Sequence, residues 1–290
     1  MFDEKEMELR LGNTFSFTSD LDILKPVEAF TLEVLKDYPC VGSYDCTAFQ
    51  PLQFWTVNYT SFAGFFMLNP LQQEIKQIQV QDALCSSKID KFDYTGFLSD
   101  RVMGGSANKY SHIGGSKPTS RYEAIAVLAG SNIFPKITSV PKLRWVVEEH
   151  GKLAAIKPHP LTHKENLQEL KEMLLPCASI LSPEDDIYSI MPYVDVVYAS
   201  HNSESIINAV SLGKRVSPLT NFKERNLCGF SHINEPLINS LEPKKLVNKL
   251  LSNYQSGLVH PEIHPDWQDR VVQYIAYIHE VRSLMKDAYK

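Results

Sequence analysis

Along the second half of the chain, short unbroken apolar runs alternate with stretches whose apolar residues recur every three or four positions. That is the pattern of buried strands separated by amphipathic helices. Residues 122–128 (YEAIAVL) form the first run and stop at Ala129-Gly130-Ser131-Asn132; a helix is predicted over 140–149, closed near Gly151. A strand over 152–157 follows, and Thr162 can cap a helix over 163–175, in which Leu167, Leu170, Met173 and Leu174 share one face. Residues 178–181 read as a short strand, Ser182-Pro183-Glu184 as the start of a helical turn, and 194–199 as another strand. A helix over 204–212 ends at Gly213, and 214–218 returns to the sheet. Strand-helix-strand units with short connections imply right-handed crossovers and a parallel sheet, hence an α/β domain of nucleotide-binding type.

The first half alternates less regularly. Residues 13–18 read as a strand, 26–36 as a helix with Pro26 in its first turn, and 54–59 and 94–98 as further strands. The Gly- and Ser-rich stretch 103–120 marks a boundary, either a hinge or a loop over a cleft. Residues 267–286 place Val271, Ile275, Ile278, Val281 and Met285 on one side of a long helix, expected to pack across the domains. The expected fold class is therefore α/β, with two Rossmann-like domains facing a cleft. The N-terminal domain is 1–118, the C-terminal domain 119–265, and the closing helix 266–290.

At 290 residues the chain has room for two such domains. Its composition, 43% hydrophobic and 22% charged, is that of a globular protein, and its longest apolar runs, 153–156 and 194–199, are too short to span a bilayer. Residues 1–10 are acidic and lack the apolar core of a signal peptide. The five cysteines are scattered, without C-x-x-C pairs or zinc-like spacing. Reduced thiols and a cytoplasmic location are expected. A net charge of −5 argues against wholesale nucleic-acid binding. It leaves room for a local basic surface, and Arg101, Lys109, Lys117 and Arg121 fall in one segment without a single Asp or Glu.

Two polar clusters stand at the carboxyl ends of predicted strands: Lys157-Pro158-His159-Pro160, and Ser200-His201-Asn202-Ser203-Glu204-Ser205. Ligands of open α/β sheets bind beyond those ends. Lys157 and His159 each precede a proline, which favours extended backbone, so both side chains are expected to project together as phosphate donors. The second cluster opens a helix, where unpaired amides and the hydroxyls of Ser203 and Ser205 favour an anion. Ordinary roles compete: a proline-rich loop exit for the first, an Asn202 or Ser203 cap with a dipole-matching Glu204 for the second.

The run KPHP, the acidic turn Pro183-Glu184-Asp185-Asp186 and the segment VDVVYASHNSESIINAVSLGKRV together resemble the carboxy-terminal half of GT-B glycosyltransferases of the capsular-polysaccharide and bacterial sialyl- and Kdo-transferase type. The resemblance covers residues 122–219. It implies that His159 contacts the phosphate or nucleotide of a nucleotide-sugar donor, and that Ser203 and Ser205 hold its phosphate. Those families often carry a Glu one turn into the helix, where this chain has Asn208. Glu204 or the acidic turn with Glu184 is then the candidate for the ribose.

On that reading a metal-independent transfer relies on Lys157, His159 and the helix amides to stabilise the departing nucleoside phosphate, with no cofactor and no metal site. The acceptor hydroxyl needs a carboxylate base, for which Asp100 and Asp20 are the candidates. Arg101, Lys109, Lys117 and Arg121 would hold the acceptor, either a surface glycan or, as in phage enzymes, hydroxymethylated DNA with its base flipped out. A sugar-nucleotide epimerase is an alternative on the same architecture, and a noncatalytic nucleic-acid-binding protein is one of another class. Ala129-Gly130-Ser131-Asn132-Ile133-Phe134 is not the G-x-G-x-x-G of a Rossmann oxidoreductase.

Overall fold

The computed structural model of the chain describes residues 19–34, 57–70, 72–108, 121–130, 134–160, 162–174, 177–221, 223 and 228–288. In chain order its elements are α1 (Lys25–Val34), β1 (Val57–Phe62), β2 (Phe65–Pro70), α2 (Gln73–Cys85), α3 (Tyr94–Met103), β3 (Ala124–Val127), α4 (Phe134–Ile137), α5 (Val140–His150) and β4 (Ala154–Lys157). There follow α6 (Lys164–Leu174), β5 (Ser179–Ile180), β6 (Val196–Ala199), α7 (Ser205–Ser211), β7 (Arg215–Pro218), α8 (Ser231–Asn239), α9 (Pro243–Ser252), β8 (Leu258–Val259) and α10 (Trp267–Ala288). Two compact units result, one containing Thr95–Lys244 and the other Ser19–Tyr94 with Lys245–Lys290. The divisions fall at 94 and 245 rather than at the expected 118 and 265.

The first unit is a five-stranded parallel sheet of order β5-β4-β3-β6-β7. Both faces are covered, so its strands read as continuous apolar runs. Ala124, Ala126, Ile156, Val196 and Tyr198 meet Leu143, Val146 and Val147 of α5 and Leu170 and Leu174 of α6. On the other face Ile125, Ala155 and Val197 meet Val102 of α3, Ala209 of α7 and Tyr188. This is the Rossmann-like arrangement expected for residues 122–218.

The second unit departs from the expectation of another Rossmann-like domain. Among the described residues its sheet is three-stranded and antiparallel, in order β1-β2-β8. Phe62 pairs directly with Phe65 across Ala63 and Gly64, whose φ values of 51° and 88° are both positive. A two-residue hairpin demands that geometry, because it matches the twist of the two strands. Residues 94–98, expected as a strand, are helical in α3. Tyr94, Leu98 and Val102 are buried at four-residue spacing, a helical stripe that the five-residue window was too short to reveal. The strand expected at 13–18 lies outside the described residues.

Helix α10 buries the stripe foreseen for it, Val271, Ile275, Ile278 and Val281, together with Tyr274. Its partners are Leu24, Val27, Phe66, Leu68, Ile75 and Val259, all of its own unit, so this contact is part of one core rather than a strap across two. Tyr274 is fully buried and donates to Gln79 Oε1 at 2.7 Å. Among the described residues no helix is long and apolar enough to cross a membrane.

Gly257 fixes the entry to β8. Its φ is +73°, its carbonyl accepts from Leu68 N at 2.8 Å, and a Cβ there would sit 2.1 Å from the Leu68 carbonyl oxygen. Gly257→Ala combines left-handed strain with a backbone clash that no rotamer relieves. We expect it to destabilise the second unit by about 3 kcal/mol or more, read from urea unfolding followed by tryptophan fluorescence. A loss below about 1 kcal/mol would show that the turn relaxes freely.

Candidate functional site

Strand β3 is flanked by β4 on one side and β6 on the other, all parallel, so the loops after β4 and β6 leave the sheet at the same edge, about 10 Å apart. The chain steps outward from β3 to β4 and β5, then returns to place β6 on the opposite side of β3. Where a doubly wound sheet reverses in this way, a crevice opens at the carboxyl ends of its strands. His159, half-buried, stands on the loop after β4, and Ser203 and Glu204, also half-buried, on the loop after β6.

Lys157 does not share the outlook expected of it. It is 2% exposed, and its Nζ donates to Pro158 O at 2.6 Å and Pro183 O at 2.8 Å, tying the loop after β4 to the turn after β5. Burial pushes its pKa from 10.5 down to about 8, against the opposing pull of Asp185 and Asp186. Pairing of residues two apart fails here because Lys157 still belongs to the strand and is enclosed by it, whereas His159 has left the sheet. Lys157 is a positioning group.

The acidic turn is likewise built into the scaffold. Asp185 Oδ2 accepts from Ser182 N at 2.8 Å, and Asp186 Oδ1 accepts from Tyr188 N at 2.8 Å and from the Asn108 amide. Glu184 projects from the turn as an exposed side chain. Asn208, where the resembling families carry a Glu, is 1% exposed and donates to Tyr188 Oη at 3.1 Å. It is part of the core beneath the loop.

The loop after β6 is pinned on three sides. His201 N and Nδ1 both lie 2.8 Å from Thr220 Oγ1, which joins it to the segment after β7. Asn202 Oδ1 accepts from Gly229 N at 2.9 Å, and the buried amide of Asn234 donates to the carbonyls of His201, at 2.8 Å, and Ser203, at 3.0 Å. Ser203 Oγ receives Ser205 N at 3.3 Å and lies 2.6 Å from Ser205 Oγ. Ser205 is 4% exposed whereas Ser203 is half-buried, so Ser203 is the serine presented at the start of α7. Sequence reading passed over Thr220 and Asn234; they act across separations of 19 and 31 to 33 residues, which no local pattern signals.

The remaining candidates are dispersed. Asp100 is an exposed residue of α3 rather than the residue after a strand, and Asp20 lies in a 3-10 turn, Ser19–Leu24, of the other unit. Arg101 Nη2 donates to Ser106 O at 2.9 Å and its guanidinium lies over the Phe97 ring at 5.8 Å, closing its own helix end. Arg121 is exposed, and Lys109 and Lys117 lie outside the described residues.

No protein-family model matches the chain, and no curated protein matches it. Among solved structures it matches Thermosulfurimonas dismutans KpsC, a beta Kdo 2,7 transferase, with 14% sequence identity and a TM-score of 0.37. The match covers 77% of this chain and 80% of that one.

Because the folded pKa of Lys157 lies below its unfolded value, the unfolded chain holds more protons between about pH 8 and 10.5, and folding strengthens as pH rises through that window. Lys157→Met removes the titrating group. The wild type should therefore gain stability relative to that variant, by up to about 3 kcal/mol, as pH is raised from 8 to 10.5 in paired denaturant titrations. A pH-independent difference would show that the ammonium is not desolvated.

Proposed function

We propose that the chain is a glycosyltransferase that takes a sugar from a nucleotide-sugar donor and places it on an acceptor hydroxyl. The observation that carries this reading is the arrival of His159 and Ser203 at one edge of a parallel sheet, on loops that flank its central strand. Breaking a sugar–phosphate bond leaves negative charge on the nucleoside phosphate. Stabilising that charge requires donors fixed in advance rather than gathered during reaction. The bonds from Thr220, Gly229 and Asn234 to the loop after β6, and from Lys157 across the loop after β4, provide such fixation.

In this reading His159 and Ser203 meet the donor phosphate, and either Glu204 or the acidic turn with Glu184 is the candidate for the ribose. Lys157 and Ser205 support their neighbours. The candidates for the base are Asp100 or Asp20, and Arg101, Lys109, Lys117 and Arg121 are the candidates for holding the acceptor; of these only Asp20 belongs to the second unit. A surface glycan and hydroxymethylated DNA both remain acceptors of the required chemistry, and the transfer needs no metal.

A ligand that binds only the folded state raises the melting temperature, by an amount that grows with the logarithm of its concentration above Kd. Millimolar UDP, CMP or GDP, or one of their sugars, should raise it for the wild type. His159→Ala should weaken the same ligand by about tenfold or more, the usual cost of losing a hydrogen bond to a charged group. No stabilisation by any of these nucleotides, or an unchanged response in His159→Ala, would contradict the proposal.

A further inference from the structure

The unit formed by Ser19–Tyr94 and Lys245–Lys290 contains a cavity of about 570 Å³, within the range of small-molecule sites. Lys88, Tyr254, Asp266, Arg270 and Gln273 line it, and Cys85 shares the wall. The wall is fixed. Asn253 donates its amide to Ala83 O, Lys88 O and Lys249 O, and Lys249 Nζ reaches Leu84 O at 2.7 Å, so the end of α2 is fastened to the end of α9.

Arg270 is the unusual member. It is 6% exposed, and its Nη groups donate to Ser252 O at 3.0 Å and Leu251 O at 2.8 Å, capping α9. Its Nε has no acceptor among the described residues, and none of their carboxylates lies within ion-pair distance of it. Asp266 and Asp90 act on it only at longer range. A guanidinium buried with no carboxylate in contact favours an anion that enters the cavity beside it. Lys88 adds a second cation, exposed to solvent on the same wall.

The other lining groups narrow the chemistry. Asp82 and Asp266, the two carboxylates of the lining, offer acceptors and Gln273 both donor and acceptor, while Tyr254 supplies a ring. Hydroxyl groups need donors and acceptors at once, and such a mixture meets them. A bare inorganic anion would fill only a small part of the volume, and an apolar molecule would strand the charges. We propose that this cavity binds a small anionic polyhydroxylated molecule, a sugar acid or a sugar phosphate, with its anionic group toward Arg270 and Lys88 and its hydroxyls toward Asp266 and Gln273.

Cys85 supplies the readout, because its exposed thiol lines the cavity, whereas the exposed thiol of Cys177 belongs to the other unit and serves as reference. Alkylation of each would be followed by peptide mass spectrometry on the full chain, with millimolar glucuronate, glucose 6-phosphate, glucose or inorganic phosphate. Glucuronate or glucose 6-phosphate should slow Cys85 by about threefold or more and leave Cys177 unchanged, and which of the two protects identifies the source of the anion. Lys88→Glu, chosen because Lys88 is exposed and Arg270 caps a helix, should remove the protection while keeping the melting temperature. The proposal is overturned if no probe slows Cys85, if glucose or phosphate protects as well as the anionic sugars, or if Lys88→Glu leaves protection intact. Neither nucleotide binding nor turnover enters this test, so its outcome is separate from that of the transferase reading.

Discussion

The position of β3 between β4 and β6 is the constraint from which the candidate site follows. Parallel pairing on both sides of one strand forces the two exits to the same edge, and the separate helical layers on the two faces keep the strands in that order. Were β6 and β7 to exchange places, the exits after β4 and β6 would lie three strand spacings apart, about 14 Å rather than about 10 Å. The chemistry proposed for the chain therefore begins with strand order, a property of the fold, and only then with side chains.

Around that edge, most of the polar groups hold the loops and few are presented outward. Lys157 shows the division well. An ammonium enclosed by the sheet costs free energy, yet its two carbonyl contacts bind the exits of adjacent strands into one body. Asp185, Asp186, Asn202, Ser205 and Asn208 are engaged in the same way, each with a main-chain or side-chain partner. Half-buried or exposed at the rim stand His159, Ser203, Glu204 and Glu184. Pre-organisation of this sort is what electrostatic stabilisation of a leaving group requires, since donors that are already oriented need not reorganise as charge develops.

The parallel sheet was legible because a strand covered on both faces must be apolar at nearly every position, as 122–128 and 194–199 are. The stripe of α10 was legible for a similar reason: its period persists over many turns. Short windows failed. Residues 94–98 contain aromatics that suit a strand, and only Val102, a turn further on, reveals the helical repeat of α3. The candidate donors were half legible. Their placement at strand ends could be read, but Lys157 and His159 differ in burial for reasons of tertiary enclosure, and the amide of Asn234 reaches the loop from a helix about thirty residues away. The cavity around Arg270 joins α2, α9 and α10, and nothing in the spacing of Cys85, Lys88, Asp266 and Arg270 announces it.

The most direct measurement is photochemical. A nucleoside diphosphate carrying a photoreactive base, irradiated with the full-length chain, reports the segments that surround it. Saturable cross-links on peptides that contain His159 or Ser203, competed by the unmodified nucleotide, are the predicted result. Saturable cross-links confined to the unit of Ser19–Tyr94 and Lys245–Lys290, or labelling that no nucleotide competes, would contradict the assignment of the donor to the carboxyl edge of the parallel sheet.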